Sequence, residues 1–268
     1  MLALSILPFV LAGCLILFGR LRGPGRQASP TRQVVPKQLL LLSAVAIVSH
    51  PMLDTLNTYG VRWLMPFSGR WYYGDALFIA DPWVWLALGA GVVLSWWGSR
   101  RGTAVNHRPV RLALGAVGLY MGSMWVSGLV ARRIISRELE ALSGQPVELA
   151  MAGPVPLSVL TRSFVAQQDT AYRVGSFRWL ASPHIDLSGT RSFPRRRPLH
   201  PAFAVAESTR VMRRFLGWAR FPTFELQATG PHQYMVHVVD LRYARRPGEN
   251  FGAISVPVSL PSASVPAR

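Results

Sequence analysis

The sequence predicts a membrane α-helical protein, with about four transmembrane helices, followed by a small α+β extramembrane domain. Three observations predict it. Half of the 268 residues are hydrophobic and only 15% are charged, which is too apolar for a disordered chain or an ordinary soluble basic protein. The basic side chains are 28 Arg and one Lys (Lys37), and they give a net charge of +17. The long apolar runs are confined to residues 1–131, and residues 132–268 are shorter-patterned and more polar. A single cysteine, Cys14, excludes an intrachain disulfide framework and a Cys-rich zinc site.

Four runs define the first domain, residues 1–131. Leu2–Gly19, Leu39–Leu56, Pro82–Gly98 and Leu112–Ala131 are 17 to 20 residues long, and a helix needs roughly 17–25 residues to cross the hydrocarbon layer. The first run has no Lys or Arg before it and no clear small-x-small cleavage site, so it reads as a retained helix rather than a signal peptide. Trp83, Trp85, Trp96 and Trp97 lie at the two ends of the third run, as interfacial aromatic belts do. Gly118 and Gly122 form a GxxxG on the fourth, a weak signal for close helix packing.

The loops predict orientation. Arg20, Arg22, Arg26, Arg32 and Lys37 flank the first connection, and Arg100, Arg101, Arg108 and Arg111 the third, with no acid among them. The 57–81 loop has only Arg62 and Arg70, beside Asp75 and Asp81. By the positive-inside rule the two basic connections face the cytoplasm. The 57–81 loop and everything after the fourth run then face the non-cytoplasmic side, against the pull of Arg132, Arg133 and Arg137.

Residues 132–145 read as a juxtamembrane helix extension and linker, and 146–260 as the α+β domain. Val147–Met151, Val159–Gln167 and Tyr172–Leu180 are predicted strands, divided by Gly, Pro and Asp turn signals. Pro201–Trp218 is predicted helical, and Phe224–Ala228, Tyr234–Tyr243 and Ala253–Leu260 are predicted strands. Residues 261–268 read as a disordered tail, and there is no internal repeat.

The chemistry-bearing segment is 49–83, SHPMLDTLNTYGVRWLMPFSGRWYYGDALFIADPW. Ionisable groups at membrane depth are costly and usually face a partner or a watery cavity. His50 and Asp54, at i and i+4, share one helix face. Placed so, they can bind one metal ion, exchange a proton, or simply hydrogen-bond to each other and hold helices together. Asn57 lies one turn further on, and Pro51 should kink or fray the helix there. Asp81 before Pro82 is explained by an N-cap with proline at the first helical position. Asp75 follows a glycine and suits a turn or a pair with Arg70. Arg62 and Arg70, beside Trp63 and Trp71, suit interfacial anchors or substrate clamps. Arg195, Arg196 and Arg197 form a basic run that reads as a solvated loop or a contact for nucleic acid or anionic head groups. The four histidines of the second half lack zinc-ligand spacing, and no phosphate-binding glycine loop, nucleophile elbow or DNA-binding motif is present. Nucleic acid is not an expected partner.

The run HPMLDTLNTYGVRWLMPFS followed by RWYYGDALFIADP resembles the YdjM-like family of bacterial inner-membrane proteins, described as metal-dependent hydrolases and also as LexA-binding. The stretch PVPLSVLTRSFVAQQDTAYRVGSFRWL is similar to the C-terminal extension of many members. The resemblance implies His50 and Asp54 as ligands of a divalent metal, zinc or manganese/magnesium, with Asp75 and Asp81 as further ligands or as carboxylates supporting them, and Asp54, Asp75 and Asp81 as catalytic carboxylates. It places Ser68, Arg70 and Asn57 beside the substrate. It also implies an upstream His-Arg-x-x-Thr-His element, whose place falls before Met1. The expectation is a start missing that element or a member that has lost catalysis.

Two functions are therefore expected. The first is an integral inner-membrane metal-dependent hydrolase acting on a phosphoester or lipid-like substrate at the membrane interface. The alternative is a non-catalytic membrane protein whose basic C-terminal domain binds a protein partner or anionic lipid. A transporter is weaker, because four spans without evident repeats make a poor alternating-access fold.

Overall fold

The computed structural model describes residues 2–21, 35–100, 107–249 and 251–261. The predicted tail beyond 261, and Arg22, Arg26, Arg32 and Arg101 of the basic connections, lie outside the described residues. Two compact units divide the chain between Gly74 and Asp75.

The first unit holds two apolar helices, α1 (Leu2–Leu21) and α2 (Pro36–Thr55), packed against each other. Proline at the first position of α2 fits because its missing N–H has no helical partner there. The helix does not end at Pro51 but continues one turn, to Thr55, whose Oγ1 donates to the Pro51 carbonyl at 2.7 Å. Beyond it, residues 56–74 form an ordered loop closed by a bridge between Val61 and Tyr72.

The second unit starts with α3 (Pro82–Arg100) and α4 (Arg108–Ser143), which pack against each other. The close approach is at Gly91, where an added Cβ would sit 2.6 Å from the Cβ of Ala113 and 3.2 Å from the Pro109 carbonyl. Gly118 and Gly122, the expected packing glycines, have nothing within 4 Å of that position. Gly91→Val should therefore force the helices apart and cost about 1–3 kcal/mol, as overpacking does, whereas Gly118→Val should be far milder. Thermal unfolding of both variants in detergent checks this.

By length and composition α1, α2 and α4 can cross a membrane. The 19-residue α3 is long enough but is diluted by four tryptophans. At 1.5 Å per residue, the 36 residues of α4 extend about 54 Å, so the same helix that leaves the apolar region also enters the sheet domain. The helix runs on to Ser143 and ends where Gly144 takes a left-handed φ of 66° and donates its N–H to the Glu140 carbonyl.

The sheet domain has two antiparallel meanders. One is β1 (Leu149–Val155), β2 (Ser158–Gln168), β3 (Ala171–Arg178) and β4 (Arg191–Pro194), in that order. The other is β5 (Pro222–Gly230), β6 (Gln233–Asp240) and β7 (Ala253–Ser259). Ala131, Ile135 and Leu139 of α4 pack onto Ala152, Phe164, Ala166 and Phe177 of the first sheet. The opposite face, with Met151, Val165, Tyr172 and Val174, meets Phe221 and Leu241. The second sheet carries α5 (Pro201–Ser208) and α6 (Arg210–Leu216) over Val236, Val238, Val256 and Val258. The expected single helix over 201–218 is broken at Thr209, whose Oγ1 accepts the Met212 N–H and starts α6 afresh. The membrane-helical plus α+β architecture is the one predicted.

Candidate functional site

His50 and Asp54 meet as their spacing requires, Nε2 to Oδ2 at 3.4 Å, and their side chains are 82% and 44% exposed. The helix end beside them is fixed locally. Asn57 is buried, and its Oδ1 accepts the Tyr59 N–H at 2.7 Å, closing a turn. Trp63 Nε1 donates to Thr55 Oγ1 at 2.8 Å. Ser68 Oγ accepts the Arg70 N–H at 3.3 Å, and the Arg70 guanidinium lies 5.4 Å from the Tyr72 ring centre. Arg62 lies over Trp71 in the same way, at 4.8 Å. Both arginines are thus held on aromatic faces. Gly60, at φ 87°, is needed where it is, since a Cβ would lie 2.4 Å from the Tyr73 ring.

The two further carboxylates are buried and engaged. Asp81 caps α3, with Oδ1 accepting the N–H groups of Trp83 at 3.1 Å and Val84 at 3.4 Å. Its other oxygen accepts the Tyr120 hydroxyl of α4 at 3.0 Å. Asp75, 1% exposed, takes the left-handed φ of 52° that aspartate tolerates. Its carboxylate receives Arg220 Nη1 at 2.9 and 3.2 Å, rather than the expected Arg70. Its backbone carbonyl receives Arg162 Nη1 at 3.2 Å.

Arg162 is the residue that local sequence reading misses. It is fully buried on β2 and also donates to the carbonyls of Ala152 (3.0 Å) and Met124 (2.5 Å) and to Ser127 Oγ (3.2 Å). Gly128 makes room, since a Cβ there would lie 3.2 Å from Nη1. Burial pushes the guanidinium pKa down to about 10, which leaves it a cation at neutral pH. A signal exists in the sequence: Arg162 shares the inward face of β2 with Phe164 and Ala166, where strand alternation calls for an apolar residue.

The arginine run resolves into pairs. Arg195 meets Glu148 at 2.9 Å, Arg196 meets Asp169 at 3.6 Å, and Arg197 meets Glu207 at 2.5 Å. The Gln167 amide, and behind it Arg195, hold the Glu148 carboxyl below its ordinary pKa. By contrast Arg210, Arg213 and Arg214 of α6 are exposed and form no ion pair among the described residues. Among those residues no group of three or more His, Cys, Asp or Glu is arranged to hold a metal ion.

A family model described as "YdjM inner membrane protein" matches residues 1–132. Those residues belong to the YdjM inner membrane protein family. With three helices apolar and long enough to cross a bilayer, the chain is a membrane protein. The YdjM region ends within α4, so one continuous helix joins it to the sheet domain. His50, Asp54, Asn57, Ser68, Arg70, Asp75 and Asp81 all lie in the YdjM region, whereas Arg162 and Arg220 lie beyond it. No curated protein and no solved structure matches the chain.

Proposed function

We propose that the YdjM region crosses the inner membrane four times, through α1 to α4, and anchors a basic domain that works by binding anionic lipid head groups on the non-cytoplasmic side. The observation that carries this reading is the commitment of Asp75 and Asp81. A general base must present a free lone pair to its proton. Here both carboxylates are buried, at 1% and 7% exposure; one is paired with an arginine, and the other accepts two backbone N–H groups and a tyrosine hydroxyl. Both serve to join elements. The charge that remains available to a partner is on the far domain, where 18 Arg face nine acids between residues 132 and 268. Arg210, Arg213 and Arg214 concentrate it at i, i+3 and i+4 on α6.

The expected result is that amide exchange of residues 210–216 slows in nanodiscs containing phosphatidylglycerol compared with zwitterionic discs. The protection should disappear in Arg210→Gln/Arg213→Gln/Arg214→Gln and at high salt, where exposed charges are screened. Equal exchange in both lipids overturns the reading.

The His50–Asp54 pair favours a second reading, a metal-dependent hydrolase acting on a phosphoester or lipid-like substrate. An imidazole nitrogen and a carboxylate oxygen are suitable donors for a divalent ion, but catalytic zinc sites take three protein ligands. The described residues bring together two, His50 and Asp54, and so do not by themselves complete a catalytic zinc centre. On this reading the purified full chain carries near-stoichiometric zinc or manganese, and Asp54→Ala removes it. Elemental analysis of both proteins decides, and a metal-free wild type sinks the hydrolase.

A further inference from the structure

The hairpin tip between β1 and β2 is apolar where water-facing turns are polar. Leu157 is 66% exposed and sits at φ 64°, a conformation that glycine or asparagine adopts without strain. Val159, Leu160 and, beyond β3, Leu180 add three more exposed apolar side chains at this end of the sheet. Four such residues on a turn and its margins exceed what scattered surface apolarity explains.

Their depth is fixed by their neighbours. Val159 shares a crevice with Trp83 and Ala87 of α3 and with Ala116, Val117 and Tyr120 of α4. Ala87 lies five residues inside α3, about 7.5 Å beyond Pro82 at 1.5 Å per residue. The polar boundary of this helix pair is marked by Asp81, the tyrosine hydroxyl bonded to it, and Trp83. Interfacial apolar segments bury about 5–10 Å into the boundary between head groups and acyl chains, which is the level of the hairpin tip. Beside it runs a groove of about 890 Å³, with α4 from Gly118 to Val130 as one wall and Val159, Leu160 and Trp179 as the other. Gly118 and Gly122, with open space over both, leave it unobstructed. Counted from Tyr120, the groove begins two residues inside the boundary at Gly118 and runs about 15 Å outward to Val130, so only its inner end, beside the hairpin tip, reaches the level of the acyl chains.

We propose that the β1–β2 tip is immersed in the boundary layer of the bilayer beside α3 and α4. The sheet domain then has a second membrane attachment besides the helix that carries it. This rests on α3 and α4 crossing the membrane, as proposed above, and is independent of the α6 arginines.

The test uses the full chain with Cys14→Ser and one introduced cysteine, at Leu157, Leu160, Leu119 or Leu199, carrying a polarity-sensitive fluorophore. Leu119 is an exposed position on α4, and Leu199 is fully exposed in the loop before α5. The proteins are reconstituted in phosphatidylethanolamine/phosphatidylglycerol vesicles with or without brominated acyl chains, and iodide is the aqueous quencher. Labels at 157 and 160 should lose intensity in brominated lipid and resist iodide, as the label at 119 does. Quenching by iodide, as at 199, overturns the proposal. Protection from both quenchers also overturns it, because a second copy of the chain, and not lipid, then covers the tip. Iodide quenching at 119 itself locates the failure in the crossing of α4.

Discussion

Arg162→Met should destabilise the sheet domain by about 3–5 kcal/mol, on the scale of breaking a buried charged network. Methionine fills similar length without donors. The substitution strips partners from the carbonyls of Asp75, Ala152 and Met124 and from Ser127 Oγ, and each buried group left unsatisfied costs about 1–3 kcal/mol. Some of that returns, because the guanidinium no longer has to be desolvated. Arg162→Lys should recover little, since one ammonium cannot reproduce the planar fork that reaches acceptors on β1, on α4 and before α3. Denaturant unfolding in detergent, followed by near-ultraviolet circular dichroism, reads the effect. A loss below 1 kcal/mol would show that the network is dispensable.

The helices were legible because long, continuously apolar runs such as Leu112–Ala131 carry a helix-length signal that needs no distant partner. The cap of α3 was legible for the same local reason, with Asp81 and Pro82 adjacent. What escaped is what depends on distant partners. β4 is four residues, RSFP, with no alternation to betray it; it exists through pairing with Ala171–Val174. The sequence pattern carries β6 on to Tyr243, but the strand stops at Asp240. There the carboxylate turns the chain by accepting the N–H groups of Arg220 and Arg242 and pairing with the Arg242 guanidinium at 2.7 Å. The role of Asp75 was half visible: a residue after glycine suits a turn, but its arginine lies 145 positions away. A residue-by-residue family likeness cannot see that arginine either, because it falls outside the matched region.

The Asp75–Arg220 pair gives the sharpest separation between joining and catalysis. Arg220→Ala leaves a carboxylate that is 1% exposed without its cation, and the cost should be about 3–5 kcal/mol. Asp75→Asn alone strands the arginine, which is itself 11% exposed, and should cost somewhat less because a guanidinium near the surface can turn toward water. The double variant Asp75→Asn/Arg220→Gln removes both charges and leaves two amides able to bond each other. A structural pair predicts that it is more stable than either single variant, with a positive coupling in the double-mutant cycle. A catalytic Asp75 predicts instead that any function lost in Asp75→Asn stays lost in the double variant, however well it folds. Unfolding free energies of the four proteins, measured beside α6 protection in phosphatidylglycerol discs, separate the two. Restored stability together with restored protection would assign Asp75 to the joint between the YdjM region and the domain it carries. Restored stability without protection would show that the charged pair itself, and not only the fold it holds, is needed for the lipid contact of α6.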